Sequence, residues 1–263
     1  MTDDRGAAIR AAIWAKPHEL DGYRVYADWL LEQGSSLGTY MQLALVDAPS
    51  PEQQHLAKTI LDRDRAKWIA AGRNYIRGWT NDRFGFVGAA ECSAQQVAPG
   101  FDRLLELGPR LRLTVTAMNK RRRSTVREVA AVKLGRFYGL ALSTGLDDKD
   151  LAALAPALAG ITHLDLSYNG FTHVGLRAVG EHVAGIKTLA VISDNFAPDW
   201  IEAIVETPGF RSLECVEVFG HDARTQTPTK AMLFGLKAMP EMKRVNPKRA
   251  AGTVSIAMDP DEP

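Results

Sequence analysis

The chain has 263 residues, of which 46% are hydrophobic and 24% charged, values average for folded proteins that exclude a disordered, collagen-like or disulfide-dense chain. Lys and Arg total 32 against 31 Asp and Glu, a formal charge of +1, so no global field draws the chain toward nucleic acid or an anionic membrane. Any charge-driven binding has to be local.

Four of the five tryptophans lie at or before Trp79, which predicts two unequal modules. Cys92 and Cys215 are too few for a disulfide framework or a cysteine-based zinc cluster. Both are expected to be small buried hydrophobes in a reducing compartment. The acidic start MTDDRGAAIR lacks a basic segment followed by an apolar run, so a secretory signal is not expected. The most apolar stretch, Leu151 to Ile161, is about half the ~20 residues of a membrane-spanning helix and contains Pro156 and Gly160. The expectation is a soluble, cytoplasmic protein without a membrane partner.

In chain order, Ile9 and Ile13 sit four apart within GAAIRAAIW, the spacing of one helix face, before Lys16-Pro17 halts it. LDGYRVYADWLLEQG sets Val25 with Trp29 and Tyr26 with Leu30 at i,i+4, and Gly34 supplies a C-terminal stop. A third helix is predicted over Leu37 to Leu45. A fourth runs from Pro51, at an N1-like position, to about Ile69, with Leu56, Ile60 and Leu61 apolar. Residues 1–80 therefore read as all-α.

The segment AIWAKPHELDGYRVYADWLLEQGSSLGTYMQLAL, with its core Tyr26-Ala27-Asp28-Trp29-Leu30, resembles the repeat-companion domain that precedes repeat arrays in certain bacterial proteins. The resemblance covers about residues 7 to 45. That family usually has a Gly-Asp-Pro turn after the helix, where this chain has Gly34-Ser35-Ser36. Arg83-Phe84-Gly85-Phe86-Val87 resembles the junction at which family members enter their repeats. The resemblance implies a repeat-associated scaffold and carries no activity.

A repeat is visible directly. Gly108, Gly135, Gly160, Gly185 and Gly209 recur at intervals of 27, 25, 25 and 24, each where a helix would need a left-handed C′ residue. A short alternating apolar segment follows each of the first four: Leu113-Thr-Val115, Leu140-Ala-Leu142, Leu164-Asp-Leu166 and Leu189-Ala-Val191. These predict strands, and stacked copies would bury one apolar ladder between strands and helices. At the far end, Leu213-Glu-Cys215 and Val216-Glu-Val218 are two candidate strand registers, both open. Helices are predicted over Thr125–Leu134, Lys149–Leu158, Val174–Val183, Asp199–Val205 and Thr229–Met239. Thr125-x-x-Glu128 fits a capping box, and Pro198 sits in a first turn.

The unit from Ile161 to Asn169 matches L-x-x-L-x-L-x-x-N with Ile in first place, the leucine-rich repeat signature. Asn169 falls where the chain leaves the strand and its amide is positioned to satisfy buried backbone groups, with Asn119 and Asp194 or Asn195 near the equivalent place. A period near 25 resembles the longer, ribonuclease-inhibitor-like leucine-rich repeats, over about residues 108 to 220. The expected architecture is an α/β chain: a short leucine-rich repeat solenoid, strands on one face and helices on the other, after an all-α N-terminal module. Its divisions are a helical companion domain at 1–80, a repeat domain with a divergent first repeat at 81–245, and a C-terminal cap or tail at 246–263, with Thr253 to Met258 a candidate last strand.

No constellation points to catalysis, a cofactor or a metal. Gly34-Ser-Ser36-Leu-Gly38 satisfies G-x-S-x-G, but helices flank both sides, whereas a nucleophile elbow needs a strand before the serine. The histidines at 18, 55, 163, 173, 182 and 221 have no metal-ligand spacing and read as solvated surface residues. His163 and Asp165 share a strand face as a potential dyad, with no nucleophile or third orienting group. The basic run Lys120, Arg121, Arg122 and Arg123 could grip phosphates, yet Asp147, Asp148 and Asp150 lie one repeat later and offer intramolecular neutralisation.

The concave strand face remains, with Thr114, Thr116, Ala141, Ser143, His163, Asp165, Ser167, Thr188, Ala190 and Ile192 outward and Glu214 or Glu217 nearby. The expected function is a non-enzymatic interaction scaffold that binds a protein through Thr114, Thr116, Ser143, His163, Asp165, Ser167, Thr188 and Ile192. The alternatives are regulation of a nucleotide hydrolase, by fold analogy with GTPase activators, and nucleic-acid binding through residues 120–123. The sequence leaves the partner and the oligomeric state unspecified.

Overall fold

The computed structural model describes residues 4–70, 72–116, 122–193, 198–220, 237, 239 and 241–246. It is α/β with a mostly parallel sheet. The chain divides into two compact units, residues 1–90 with 102–111, and residues 91–101 with 112–263.

In the first unit, α1 (Asp4–Ala15), α2 (Leu20–Glu32), α3 (Ser36–Ala44) and α4 (Pro51–Trp68) occupy the stretches predicted to be helical. Their ends follow from local chemistry. Gly34 stops α2 at φ 69°, and the Ser35 hydroxyl accepts the Leu37 amide proton to start α3. Ser50 and Gln53 form a capping box ahead of Pro51. The G-x-S-x-G sequence is thus the turn after α2 and the start of α3, with no strand before the serine. The module is not wholly helical, however, because β1 (Gly78–Asn81) begins within residues 1–80 and is followed by β2 (Val87–Ser93).

The core face of α2 keeps the expected Tyr26 and Leu30 but leaves out Val25. Val25 is 51% exposed, and the buried set is Tyr23, Tyr26, Ala27 and Leu30, the wider i, i+3, i+4, i+7 stripe. In α4, Leu56 is 48% exposed while Ile60 is buried, because this charged helix buries only a narrow strip. Rings from α1, α2 and the turn between β1 and β2 fill the centre. Tyr23 lies 4.2 Å from Phe84, Trp14 meets Phe86 edge-on at 5.4 Å, and Tyr26 stacks between Trp29 and Phe86. Asp82 builds that turn, accepting the amide protons of Phe84 at 2.9 Å and Phe86 at 3.0 Å. Burial pushes its carboxyl up to about 6, against the opposing pull of those amides and Arg110.

The second unit carries β3 (Arg112–Thr116), α6 (Arg122–Ala130), β4 (Gly139–Ser143), α7 (Asp148–Leu154), β5 (His163–Asp165), α8 (His173–Gly180), β6 (Thr188–Ser193), α9 (Pro198–Glu206), β7 (Cys215–Gly220) and β8 (Arg244–Asn246); α5 (Ala94–Leu105) precedes them. Strands β3 to β8 pair in parallel, each with its neighbour in the chain. The register aligns Leu113, Leu140, Leu164, Leu189, Val216 and Val245 in one row. The first five are at most 2% exposed. Each buried leucine contributes about 2–3 kcal/mol of transfer free energy, which ties every strand to the one beside it. Leu151, Leu154, Leu176, Val179, Trp200 and Ile204 bury the apolar stripes of α7, α8 and α9. The row selects the Val216-Glu-Val218 register for β7.

The periodic glycines divide by cause. Gly160 and Gly185 have φ of 92° and 79°, as a left-handed cap requires, while Gly108, Gly135 and Gly209 do not have positive φ. At Gly135 a Cβ would collide with the Ala159 carbonyl, and at Gly209 with the carbonyls of Gly180 and Val183. Close backbone approach fixes these glycines. Two further corrections concern helix ends. Thr125 lies inside α6 and is buried, so the predicted capping box does not form there; the second capping box is Asp147 with Asp150, at α7. Strand β8 straddles the expected boundary between the repeat domain and the terminal cap. The candidates at Asn119, Asp194 and Asn195 and the strand Thr253–Met258 lie outside the described residues, as does the helix 229–239 apart from Lys237 and Met239.

Candidate functional site

The sheet face opposite the leucine row carries the predicted interaction residues. In register its first row is Arg112, Gly139, His163, Thr188 and Cys215, and its second is Thr114, Ala141, Asp165, Ala190, Glu217 and Asn246. Thr116 pairs with Ser143 in a third row. The register thus brings together residues that are 24–29 positions apart in sequence.

The face is not uniformly accessible. Thr114 and Thr116 are half-buried and Ser143 is exposed. His163, Asp165, Ser167, Thr188 and Ile192 are each at most 5% exposed, Ala141 and Ala190 are buried, and Glu217 is 8% exposed. The solvent-facing platform predicted at His163, Asp165, Ser167, Thr188 and Ile192 is therefore corrected: these side chains are enclosed.

His163 shows how local packing overrides the surface expectation for a histidine. Gly139 on the neighbouring strand has no side chain, and a Cβ there would lie 2.9 Å from Arg112 Cγ and 3.4 Å from His163 Cβ. The Arg112 side chain passes closest to that position, and the imidazole lies 4.5 Å from the Tyr138 ring with Nδ1 2.9 Å from Thr188 Oγ1. The Arg112 guanidinium lies 5.8 Å from the centre of the same Tyr138 ring. Asp165 directs Oδ1 to the Ser167 amide, 2.8 Å away. His163 is thus bonded to the neighbouring strand and Asp165 to the turn that follows its own strand, bonds that hold the sheet together.

Ser167 and Asn169 carry the pairing past the short strand β5. The Ile192 amide donates to Ser167 Oγ at 3.2 Å, while Leu166 and Tyr168 amides donate to Ala190 and Ile192 carbonyls. Asn169 Nδ2 donates to the Leu142 and Leu166 carbonyls, and Oδ1 accepts from the amides of Thr144 and Leu146. Its side chain therefore joins two successive turns of chain, as its place in the sequence motif led us to expect. Tyr168, between them, takes φ 61° and is 42% exposed.

The acidic run has a role that sequence reasoning missed. Asp148 accepts the Thr172 amide at 2.7 Å, the Thr172 hydroxyl at 2.9 Å and the Gly175 amide at 2.9 Å. Asp147 and Asp150 cap α7. The visible signal was Thr172 itself, an N-cap type one period further on. Glu214 is likewise committed: its partners Lys243, at 2.7 Å, and Lys187, at 3.3 Å, hold its carboxyl below the usual range. In the basic run, Lys120 and Arg121 lie outside the described residues, and Arg122 and Arg123 open α6.

Cys92 and Cys215 are buried and not disulfide-bonded. Among the described residues, no group of three or more His, Cys, Asp or Glu is arranged to hold a metal ion, and no helix is long and apolar enough to cross a membrane. No protein-family model matches the chain, and no curated protein matches it.

Proposed function

We propose that the chain is a non-enzymatic interaction scaffold of the cytoplasm, in which a helical companion module precedes a short leucine-rich repeat solenoid that binds a protein partner through its strand face. The repeat reading is supported by equivalent leucines aligned in one row at offsets of 24–27 residues, and by Asn169 joining two successive turns. The observation that carries the binding reading is the accessible end of the strand face, where half-buried Thr114 and Thr116 lie beside exposed Ser143. Small hydroxyls on rigid strands form a shallow surface with little side-chain entropy to lose on binding. In this reading the partner's contact region is on β3 and β4, away from the enclosed His163 to Ile192 stretch. Two buried thiols without a disulfide support the cytoplasmic assignment.

Comparative affinity capture tests the reading. Wild type, the double variant Thr114→Arg/Ser143→Arg and a control Lys58→Glu variant on α4 are used as baits, each first checked for native circular dichroism. A protein captured by wild type and control but lost from the double variant supports the strand face. Identical captured sets from all three baits reject it.

A further inference from the structure

We draw no further inference here: the strongest candidate, the acidic pair Asp165 and Glu217 flanking Ala190 on the sheet face opposite the leucine row, is closed off from solvent and nothing among the described residues shows what covers it.

Discussion

Around Tyr23, rings from α1, α2 and the turn at Phe84 and Phe86 meet from segments up to about seventy residues apart, each packing at its own angle. Around Leu164, aliphatic side chains meet because adjacent strands present equivalent residues in the same register. The first arrangement is a single closed cluster. The second is open-ended, and each strand relies on its two neighbours alone, so damage at one position reaches the next turn of chain directly. Changes that remove a link between turns should therefore cost more than changes confined to one element.

The largest effect on this comparison is expected from Asn169→Ala. Its amide serves the carbonyls of Leu142 and Leu166 and the amides of Thr144 and Leu146, and alanine leaves these groups, most of them enclosed, without that partner. At 1–3 kcal/mol for each buried group left unsatisfied, partly relieved by water entry, the loss should be about 4 kcal/mol in urea denaturation. A loss below about 1 kcal/mol would show that the two turns are held together by their leucines alone.

Next comes Gly209→Ala. The added methyl would overlap the carbonyls of Gly180 and Val183, which are backbone atoms of the preceding turn and have no rotamer to escape into. Overpacking against fixed atoms costs about 3 kcal/mol. Near-neutral behaviour in the same denaturation assay would mean that the turns are less tightly stacked than their backbones imply.

The helical unit is better sharpened by pH. Asp82 in the folded chain titrates at about 6, above its unfolded value near 3.8, so the native state holds the proton more tightly than the unfolded state. Its stabilising contribution is therefore complete below about pH 4 and is lost as pH rises through about 6, an effect on the order of 2 kcal/mol given the partial exposure of the residue. Asp82→Asn keeps an acceptor for the Phe84 and Phe86 amides without the buried charge. The variant should match wild type near pH 4 and exceed it above pH 6 when unfolding is followed by tryptophan fluorescence, a signal weighted to this unit by Trp14, Trp29, Trp68 and Trp79. Parallel pH profiles would assign the slope to other groups.

The same contrast governs what was legible in the sequence. Strands β3 to β6 could be read directly, because a leucine ladder writes itself as a period, and Asn169 could be given its bonding role from its position after the strand. The face of α2 was legible in part: Tyr26 and Leu30 are buried together as their spacing implies, whereas Val25, equally apolar to a pattern, is 51% exposed, and Tyr23 packs against Phe84 from a distant turn. The strand face opposite the leucine row was legible as a set of aligned positions but not in its accessibility. Alternation gives the direction of His163 and Thr188, while their enclosure goes with the cross-strand bond between them and the Tyr138 ring beside the imidazole. Asp147, Asp148 and Asp150 were read as possible partners of the basic run, whereas their acceptor roles are fulfilled within the capping box of α7 or by Thr172, one period away.

The smallest effect is the sharpest test of the periodic glycines. Gly185 occupies the same phase of the repeat as Gly209, yet its φ is 79° and a Cβ there meets nothing within 4 Å. Gly185→Ala should therefore cost only the left-handed backbone term, about 1 kcal/mol, and Gly185→Asn less, because asparagine tolerates that region. Gly209 reverses the expectation: its backbone is not left-handed, so asparagine gains no advantage there and its larger side chain meets the same carbonyls. If asparagine rescues stability at 185 and fails at 209, one sequence period contains two physical demands, cap conformation at one position and backbone proximity at the other. Equal rescue at both would collapse them into one.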